Sequence, residues 1–190
     1  MPAPHEIIAA PFTVWVAPTG EAFPTIAATV AGNWFKLGTS GEKNYDDAGV
    51  SVQHPQTKSQ FRGAGSTVTR KTFRTEEDFI IGFTLVDLSP EQYAKILDDA
   101  AVTTVVGPPG HKSFELARGL SVSQYALFAR GQSTVNNALN AQYEISAVES
   151  EGSPNPVFTK GNPAGLAVEF RAVDHDGNGN IGTLRIQTTA

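Results

Sequence analysis

The segment from Asp174 to Ile181 has the residue types of the first part of a calcium-binding loop. Oxygen donors stand at positions one, three and five, glycine at six and an aliphatic residue at eight: Asp174, Asp176, Asn178, Gly179 and Ile181. Position twelve should supply a bidentate carboxylate, but it is Arg185, and both flanks alternate with the two-residue period of strands. We therefore predict a hairpin turn here, with calcium binding as the alternative.

The stretch from Gly107 to Ser113 has the glycines and the lysine of a phosphate-binding loop and follows a strand-like run. Its glycines are too closely spaced for that motif, and His111 stands where the residue before the lysine should be glycine. Pro108 and Pro109 lack the backbone amides that would donate to phosphate. We predict a tight turn between two strands rather than a nucleotide site.

Residues suited to catalysis are few. The four histidines are scattered without the spacing of a metal pair: His5, His54, His111 and His175. Acids cluster at residues 76–78 and 98–99. Neighbouring acids in a strand point to opposite faces. We therefore interpret the first cluster as the start of a strand that faces solvent or another subunit, rather than as a general acid/base pair. The second lies at a predicted helix C-terminus, where a basic partner on a neighbouring subunit or plain solvation would offset the helix dipole. We predict no enzyme, cofactor or metal.

Patterns of period two predict a mainly β fold in a single domain of residues 1–190. The chain has 190 residues, 40% of them hydrophobic, and no cysteine, so it must fold without disulfides. The clearest strand is Phe79 to Leu85, where every second residue is large and apolar. The other predicted strands are residues 12–16, 33–37, 49–54, 103–106, 125–129, 142–148, 165–173 and 182–187.

One α-helix is predicted from Pro90 to about Ala100. Ser89 is a suitable N-cap, Pro90 stands at the first helical position, and Gln92 at the third completes a capping box. Three apolar residues then follow at helical spacing and predict one narrow buried face: Tyr93, Ile96 and Leu97.

The segment Pro55 to Thr75 is strongly basic in a chain whose net charge is −5. It holds no acid and five cations: Lys58, Arg62, Arg70, Lys71 and Arg74. The rest of the chain therefore carries −10. A segment so polar and rich in Gly, Ser and Thr cannot form its own core, so between two strands it predicts a long projecting loop or hairpin. A basic arm on an acidic body suits head-to-tail self-association.

The N-terminal residues, the hydropathy pattern and the overall charge argue against a secreted, membrane-spanning or nucleic-acid-binding protein. Residues 1–11 have no basic start, and proline and glutamate interrupt their apolar stretch, so we predict an N-terminal arm rather than a secretory signal. No stretch approaches the roughly 20 apolar residues that span a bilayer. The sequence pI of about 5.3 argues against tight nucleic-acid binding. We expect a soluble protein made in the cytoplasm.

Several strings resemble the major tail tube proteins of long, non-contractile-tailed bacteriophages. The resemblance covers about residues 10 to 100 well, and residues 165–187 fit the closing hairpin more loosely. It is carried by WVAPTG at 15–20, WFKLGTSG at 34–41, the basic arm, FRTEEDF at 73–79 and LSPEQY at 88–93.

This resemblance implies a β-sandwich or barrel-like subunit with one flanking helix, six subunits to a ring, and rings stacked into a tube that conducts DNA. It implies that the five cations of the arm contact the adjacent ring. Partners would be other copies of the chain, the tail completion and tail tip proteins, and the tape measure protein during assembly. DNA would pass without specific binding, and the protein would be found in the virion tail.

The polar faces of the late strands are predicted to line the channel. Glu144, Glu169 and Arg171 each alternate with apolar residues, and a wet face on such a strand needs water. The alternative function is a sugar-binding or cell-surface-binding β-sandwich module of a tail tip or fibre. That function needs an exposed aromatic platform, for which Trp15 and Trp34 are the candidates.

Overall fold

The computed structural model describes residues 11–117, 119–132, 139–161 and 163–189, so the predicted N-terminal arm lies outside it except for Pro11. Within these ranges the chain is mainly β with one α-helix, as predicted. The helix, α1, spans Pro90–Ile96. The strands are β1 (Phe12–Pro18), β2 (Phe35–Lys36), β3 (Ser51–Gln53), β4 (Gln56–Phe61), β5 (Lys71–Glu77), β6 (Ile80–Leu85), β7 (Thr103–Val105), β8 (His111–Ser113), β9 (Gln124–Gln132), β10 (Asn140–Ser150), β11 (Leu166–Ala172) and β12 (Thr183–Ile186).

Eight of the strands form one antiparallel sheet that encloses a single core. Its order is β2-β1-β9-β10-β11-β6-β3, and β12 pairs with β10 outside this path. Side chains from both halves of the sheet meet in one buried cluster, including Val16 of β1, Leu127 of β9, Phe83 of β6 and Phe170 of β11. Burying each such side chain stabilises the fold by about 1.5–3 kcal/mol. The sheet is therefore curled around its apolar face.

One edge of β10 is shared by two strands. Residues Val148 to Ser150 pair with β11, and residues Ala141 to Glu144 pair with β12. Beyond its short contact with β10, β11 continues along β6, which leaves the beginning of the β10 edge open for β12. The segment 174–181 consequently joins two strands that do not pair with each other, so the prediction of a hairpin turn there is wrong.

The outer face of the sheet is covered at β9 and β10 by residues 22–34, which we call the strap. Polar side chains of β9 and β10 donate to its backbone carbonyls: Arg130 to Thr25 and Ala28, Asn140 to Ile26, and Gln142 to Pro24. The ring of Trp34 packs edge-on against Phe128 at 4.7 Å. The strap explains why β9 and β10 are largely buried on both faces.

Helix α1 begins as the sequence predicts. Ser89 Oγ accepts a hydrogen bond from the backbone amide of Gln92 at 3.4 Å. The side chain of Gln92 has a different role from the predicted capping box, because its oxygen accepts from the Gly38 amide at 2.9 Å and its nitrogen donates to the Lys36 carbonyl at 3.2 Å. These bonds fix the helix to the end of β2.

The helix ends at Ile96, earlier than the predicted Ala100. Asp98 and Asp99 adopt positive φ angles of 56° and 59°, which are incompatible with a continuing right-handed helix. Asp99 pairs with Lys95 at 2.9 Å, and Asp98 accepts from the Ser123 amide at 3.0 Å. Both carboxylates therefore have partners in their own chain.

A buried tyrosine connects the short strand β2 to the sheet. The Tyr45 hydroxyl accepts from the Val14 amide at 3.1 Å and donates to the Leu37 carbonyl at 2.8 Å. Burial raises the pKa of this phenol far above its ordinary value, so the hydroxyl remains a donor.

The basic segment forms a hairpin that continues the edge of the sheet. Strand β3 pairs with β6 within the sheet. Where the two segments leave the sheet, the Asp78 amide donates to the Pro55 carbonyl at 3.0 Å. Strands β4 and β5 then form a separate two-stranded antiparallel ladder. At about 3.3 Å per residue this hairpin projects about 20 Å. The segment for which the sequence predicts a projecting loop or hairpin thus contains two paired, exposed strands.

Candidate functional site

The two sides of the β4–β5 hairpin differ in chemistry. Directly opposite residues share a side of an antiparallel ladder. Phe61 lies opposite Lys71 and Ser59 opposite Phe73, which defines the phenylalanine side: Ser59, Phe61, Lys71 and Phe73. Lys58 lies opposite Arg74 and Gln60 opposite Thr72, which defines the cationic side: Lys58, Gln60, Thr72 and Arg74. Arg62 joins the cationic side, since its guanidinium donates to Gln60 Oε1 at 3.1 Å.

The phenylalanine side is exposed in the single chain. Every residue of β4 and β5 is exposed, and Phe61 and Phe73 retain 55% and 48% of their accessible surface. The ammonium group of Lys71 lies 5.1 Å from the centre of the Phe73 ring. A two-stranded ladder with no packed face is at best marginally stable in water, so this element is suited to binding another surface.

The cationic side has little internal compensation. Lys58 faces Arg74 directly, and like charges in that relation destabilise a ladder. Arg74 is offset by Glu77, whose carboxylate lies 2.5 Å from its guanidinium. In the described ranges the other four cations of the segment have no carboxylate at ion-pair distance: Lys58, Arg62, Arg70 and Lys71.

Glu77 fixes the root of the hairpin. Besides Arg74, its carboxylate contacts His54 Nε2 at 2.8 Å. Burial acts to raise the pKa of Glu77, but the hydrogen bonds and charges of Arg74 and His54 outweigh it and lower the pKa below its usual value. The next acid, Asp78, pairs with Arg171 at 3.0 Å. Glu76 has no cationic partner among the described residues.

An apolar groove of about 430 Å³ opens beside this root. It lies between β3 and the start of β6 on one side and β12 on the other, where β11 and β12 separate. Phe79 packs against Tyr143 on its floor at a ring distance of 5.9 Å. The groove is lined mainly by Val52, His54, Phe79, Tyr143, Ile181 and Leu184, which we call the root groove.

The predicted channel residues occupy three different environments. Glu169 is exposed on the outer face of β11, in agreement with the predicted alternation. Arg171 bridges two carboxylates, with one guanidinium nitrogen 2.6 Å from Glu151 and another 3.0 Å from Asp78. Hydrogen bonding to Glu151 raises the pKa of Arg171 further.

Glu144 does not lie on a wet face, so that part of the prediction is wrong for the isolated chain. The residue is only 5% exposed, and its carboxylate accepts from Arg185 Nε at 2.8 Å and from Gln142 Nε2 at 2.7 Å. Gln142 in turn accepts from Arg130, so the pair belongs to the polar network that holds the strap. Burial lowers the pKa of Arg130, although the nearby charge of Glu144 opposes that shift. A position on a channel wall stays a prediction for all three residues.

The segment 174–181 directs its best oxygen donors at its own backbone. The Asp174 carboxylate accepts from the amides of Gly177 at 2.9 Å and Gly179 at 3.0 Å. Arg185, which stands where a calcium loop has its bidentate carboxylate, forms an ion pair with Glu144. No group of three or more His, Asp or Glu side chains in the described ranges is arranged to hold a metal ion.

The other candidate loop is a turn, as predicted. Residues 106–110 connect β7 to β8, which pair with each other from Thr103–Ser113 to Val105–His111. Lys112, the residue of the possible phosphate loop, forms an ion pair with Glu91 of α1 instead.

Trp15 and Trp34 both pack against Phe128. Trp15 stacks on its ring at 4.7 Å and Trp34 meets it edge-on at 4.7 Å, and both indoles are half-buried. This arrangement gives the pair a packing role between the sheet and the strap.

Together these features define a mainly β protein whose most unusual surface is a projecting, amphipathic, basic hairpin. No protein-family model matches the chain, and no curated protein matches it. No helix in the described part of the chain is long and apolar enough to cross a membrane.

Sequence reasoning placed the cations correctly on a projecting element but missed the phenylalanine side and the root groove. Phe61 stands two residues after Ser59, and Phe73 two residues after Lys71. This period of two could have predicted the phenylalanine side from the sequence. The groove depends on β12 pairing with β10 rather than with β11, and no local pattern encodes that pairing.

Proposed function

We propose that this protein is a structural subunit of the tail tube of a long, non-contractile-tailed bacteriophage. Six copies form a ring, and the rings stack into a tube that conducts DNA from capsid to host. The subunit is made in the host bacterial cytoplasm and assembles with itself, the tape measure protein, and the tail completion and tail tip proteins. It acts as a scaffold rather than as an enzyme.

The observation that carries this proposal is the β4–β5 hairpin. It projects about 20 Å and exposes every strand residue. It also holds four cations that have no carboxylate at ion-pair distance in the described ranges, on a chain whose remainder carries −10. Such an element supports docking onto the acidic body of another copy. The strings shared with tail tube proteins add the ring and the tube to this inference.

Many copies must cooperate for the charges to matter. An exposed ion pair is worth only about 0–1 kcal/mol. A ring repeats each pair, so several weak contacts per hairpin sum to a stable stack.

The test is charge reversal at Arg70 and Lys71 by substitution of both with Glu. We expect a folded subunit by circular dichroism and loss of rings and tubes in negative-stain images. Reversal of Lys43 and Lys160, two exposed cations of the body, changes the net charge equally and should leave assembly intact. Normal tubes from the hairpin variant, or a wild-type protein that never forms rings or tubes, would contradict the proposal.

The channel prediction is now best tested at Glu169. Glu169→Lys should permit assembly but slow DNA ejection, most visibly at low salt, because six added cations per ring attract passing phosphates. Glu144→Lys is a poor test, since it would leave Arg185 facing a like charge. Ejection at wild-type speed at every salt concentration would place Glu169 away from the channel.

A further inference from the structure

The phenylalanine side of the hairpin and the root groove match in chemistry. Phe61 and Phe73 lie exposed on one side of a ladder that makes no extensive contact with another described strand or helix. The root groove presents apolar side chains around a volume of about 430 Å³. Aromatic residues are among the commonest anchors of protein interfaces because they bury much area at small entropic cost.

Charge supports the same contact. Lys71 shares the phenylalanine side and lacks a carboxylate partner in the described ranges. Outside residues 55–75 the chain carries a net charge of −10. A hairpin that inserts its phenylalanines into a second copy brings this cation towards an acidic body.

Geometry requires two different copies. The hairpin starts at Pro55 and Asp78, which directly adjoin His54 and Phe79 of the groove. Phe61 lies six residues further along β4, about 20 Å away from its own groove. The hairpin and the groove are distinct surfaces of one chain, so their contact is heterologous and propagates in one direction.

We propose that the root groove binds the phenylalanine side of the hairpin from a second copy of this chain. This inference rests on the proposed function and identifies the surface that receives the hairpin. Each copy then inserts its hairpin at the root of the next copy's hairpin, and successive copies are offset by about the length of the hairpin.

Single cysteines test the contact directly, because the native chain has none. Ser59→Cys marks the phenylalanine side without removing a phenylalanine, and Thr183→Cys marks the groove without removing Leu184. The two variants, carrying tags of different mass, are mixed and oxidised. We expect a disulfide-linked heterodimer, since a disulfide forms only where Cβ atoms approach to about 4 Å. Thr72→Cys, on the cationic side, is the matched control and should link at least tenfold less.

A second variant tests the groove without relying on disulfide geometry. Leu184→Glu places a charge in the groove at a residue that is already 47% exposed, so the chain should still fold. It should reduce assembly at least tenfold, as measured by sedimentation velocity. Leu120→Glu is the control, because Leu120 is fully exposed and belongs neither to the groove lining nor to the hairpin.

The possible outcomes separate this inference from the proposed function. If tubes form without the Ser59-to-Thr183 link, or form normally with Leu184→Glu, the root groove does not bind the hairpin, and the proposed function as a tube subunit is unaffected. The link without rings or tubes supports the contact and overturns the tube. A Thr183→Cys thiol that is protected from maleimide in dilute monomer shows that another segment of the same chain covers the groove, which overturns the contact.

Discussion

The pairs β9–β10 and β4–β5 are both antiparallel ladders, but they face opposite surroundings. Strands β9 and β10 have core on one face and the strap on the other, and most of their residues are buried. Every residue of β4 and β5 is exposed. The ladder hydrogen bonds are alike, so the difference lies in what covers them. The first pair is covered on both faces within the chain, whereas the second is exposed and is the element that we propose to dock on a second copy.

The largest expected contrast between the two ladders is in apolar truncation. Leu127→Ala in β9 should lower the free energy of unfolding by about 2–5 kcal/mol, because it leaves a cavity in a fully buried site. Phe73→Ala in β5 should change it by less than about 0.5 kcal/mol, since the residue is 48% exposed and lies outside the buried core. Urea unfolding of dilute protein measures both. Equal losses would show that the hairpin packs on its own chain.

A smaller contrast is expected between two glutamines. Gln142→Leu in β10 should cost about 1–3 kcal/mol, because the Pro24 carbonyl and Arg130 lose a buried partner. Gln60→Leu on the exposed hairpin should cost less than about 0.5 kcal/mol. The same unfolding measurement applies. A neutral Gln142→Leu would mean that the strap is not held by this network.

Acidification should loosen the hairpin before the sheet. Arg74 and His54 lower the pKa of Glu77, so their contribution is present above its ordinary value of 4.5 and is lost as the pH falls through the lower folded-state value. Amide-exchange protection factors in β4 and β5 should drop in that range while those of β9 and β10 persist. Glu77→Gln should abolish this pH dependence. Parallel loss of protection in both ladders would contradict the assignment.

The smallest effect is expected from calcium. The segment 174–181 connects β11 to β12, which both belong to the eight-stranded sheet, so a bound ion would stabilise that sheet. Because Asp174 accepts from its own backbone and Arg185 pairs with Glu144, millimolar calcium should not shift the melting temperature. A rise with calcium that magnesium does not reproduce would reverse this conclusion.

Local signals predicted the elements that local energetics determine. Alternation located β6 and β11, and Ser89 with Pro90 located the start of α1. The charge of residues 55–75 predicted a projecting element, because such a segment cannot form a core. What failed depends on distant partners. The alternation around Glu144 predicts an exposed polar residue, but the residue is buried, with Arg185 of β12 and Gln142 as its partners.

The packing of Trp15 and Trp34 on Phe128 gives the protein a built-in optical probe of one region. These are its only two tryptophans, and both lie between the sheet and the strap. Intrinsic fluorescence will therefore follow unfolding of β1 and β9 and be silent to events confined to the hairpin. A change in tryptophan emission when copies associate would mean that the contact has displaced the strap.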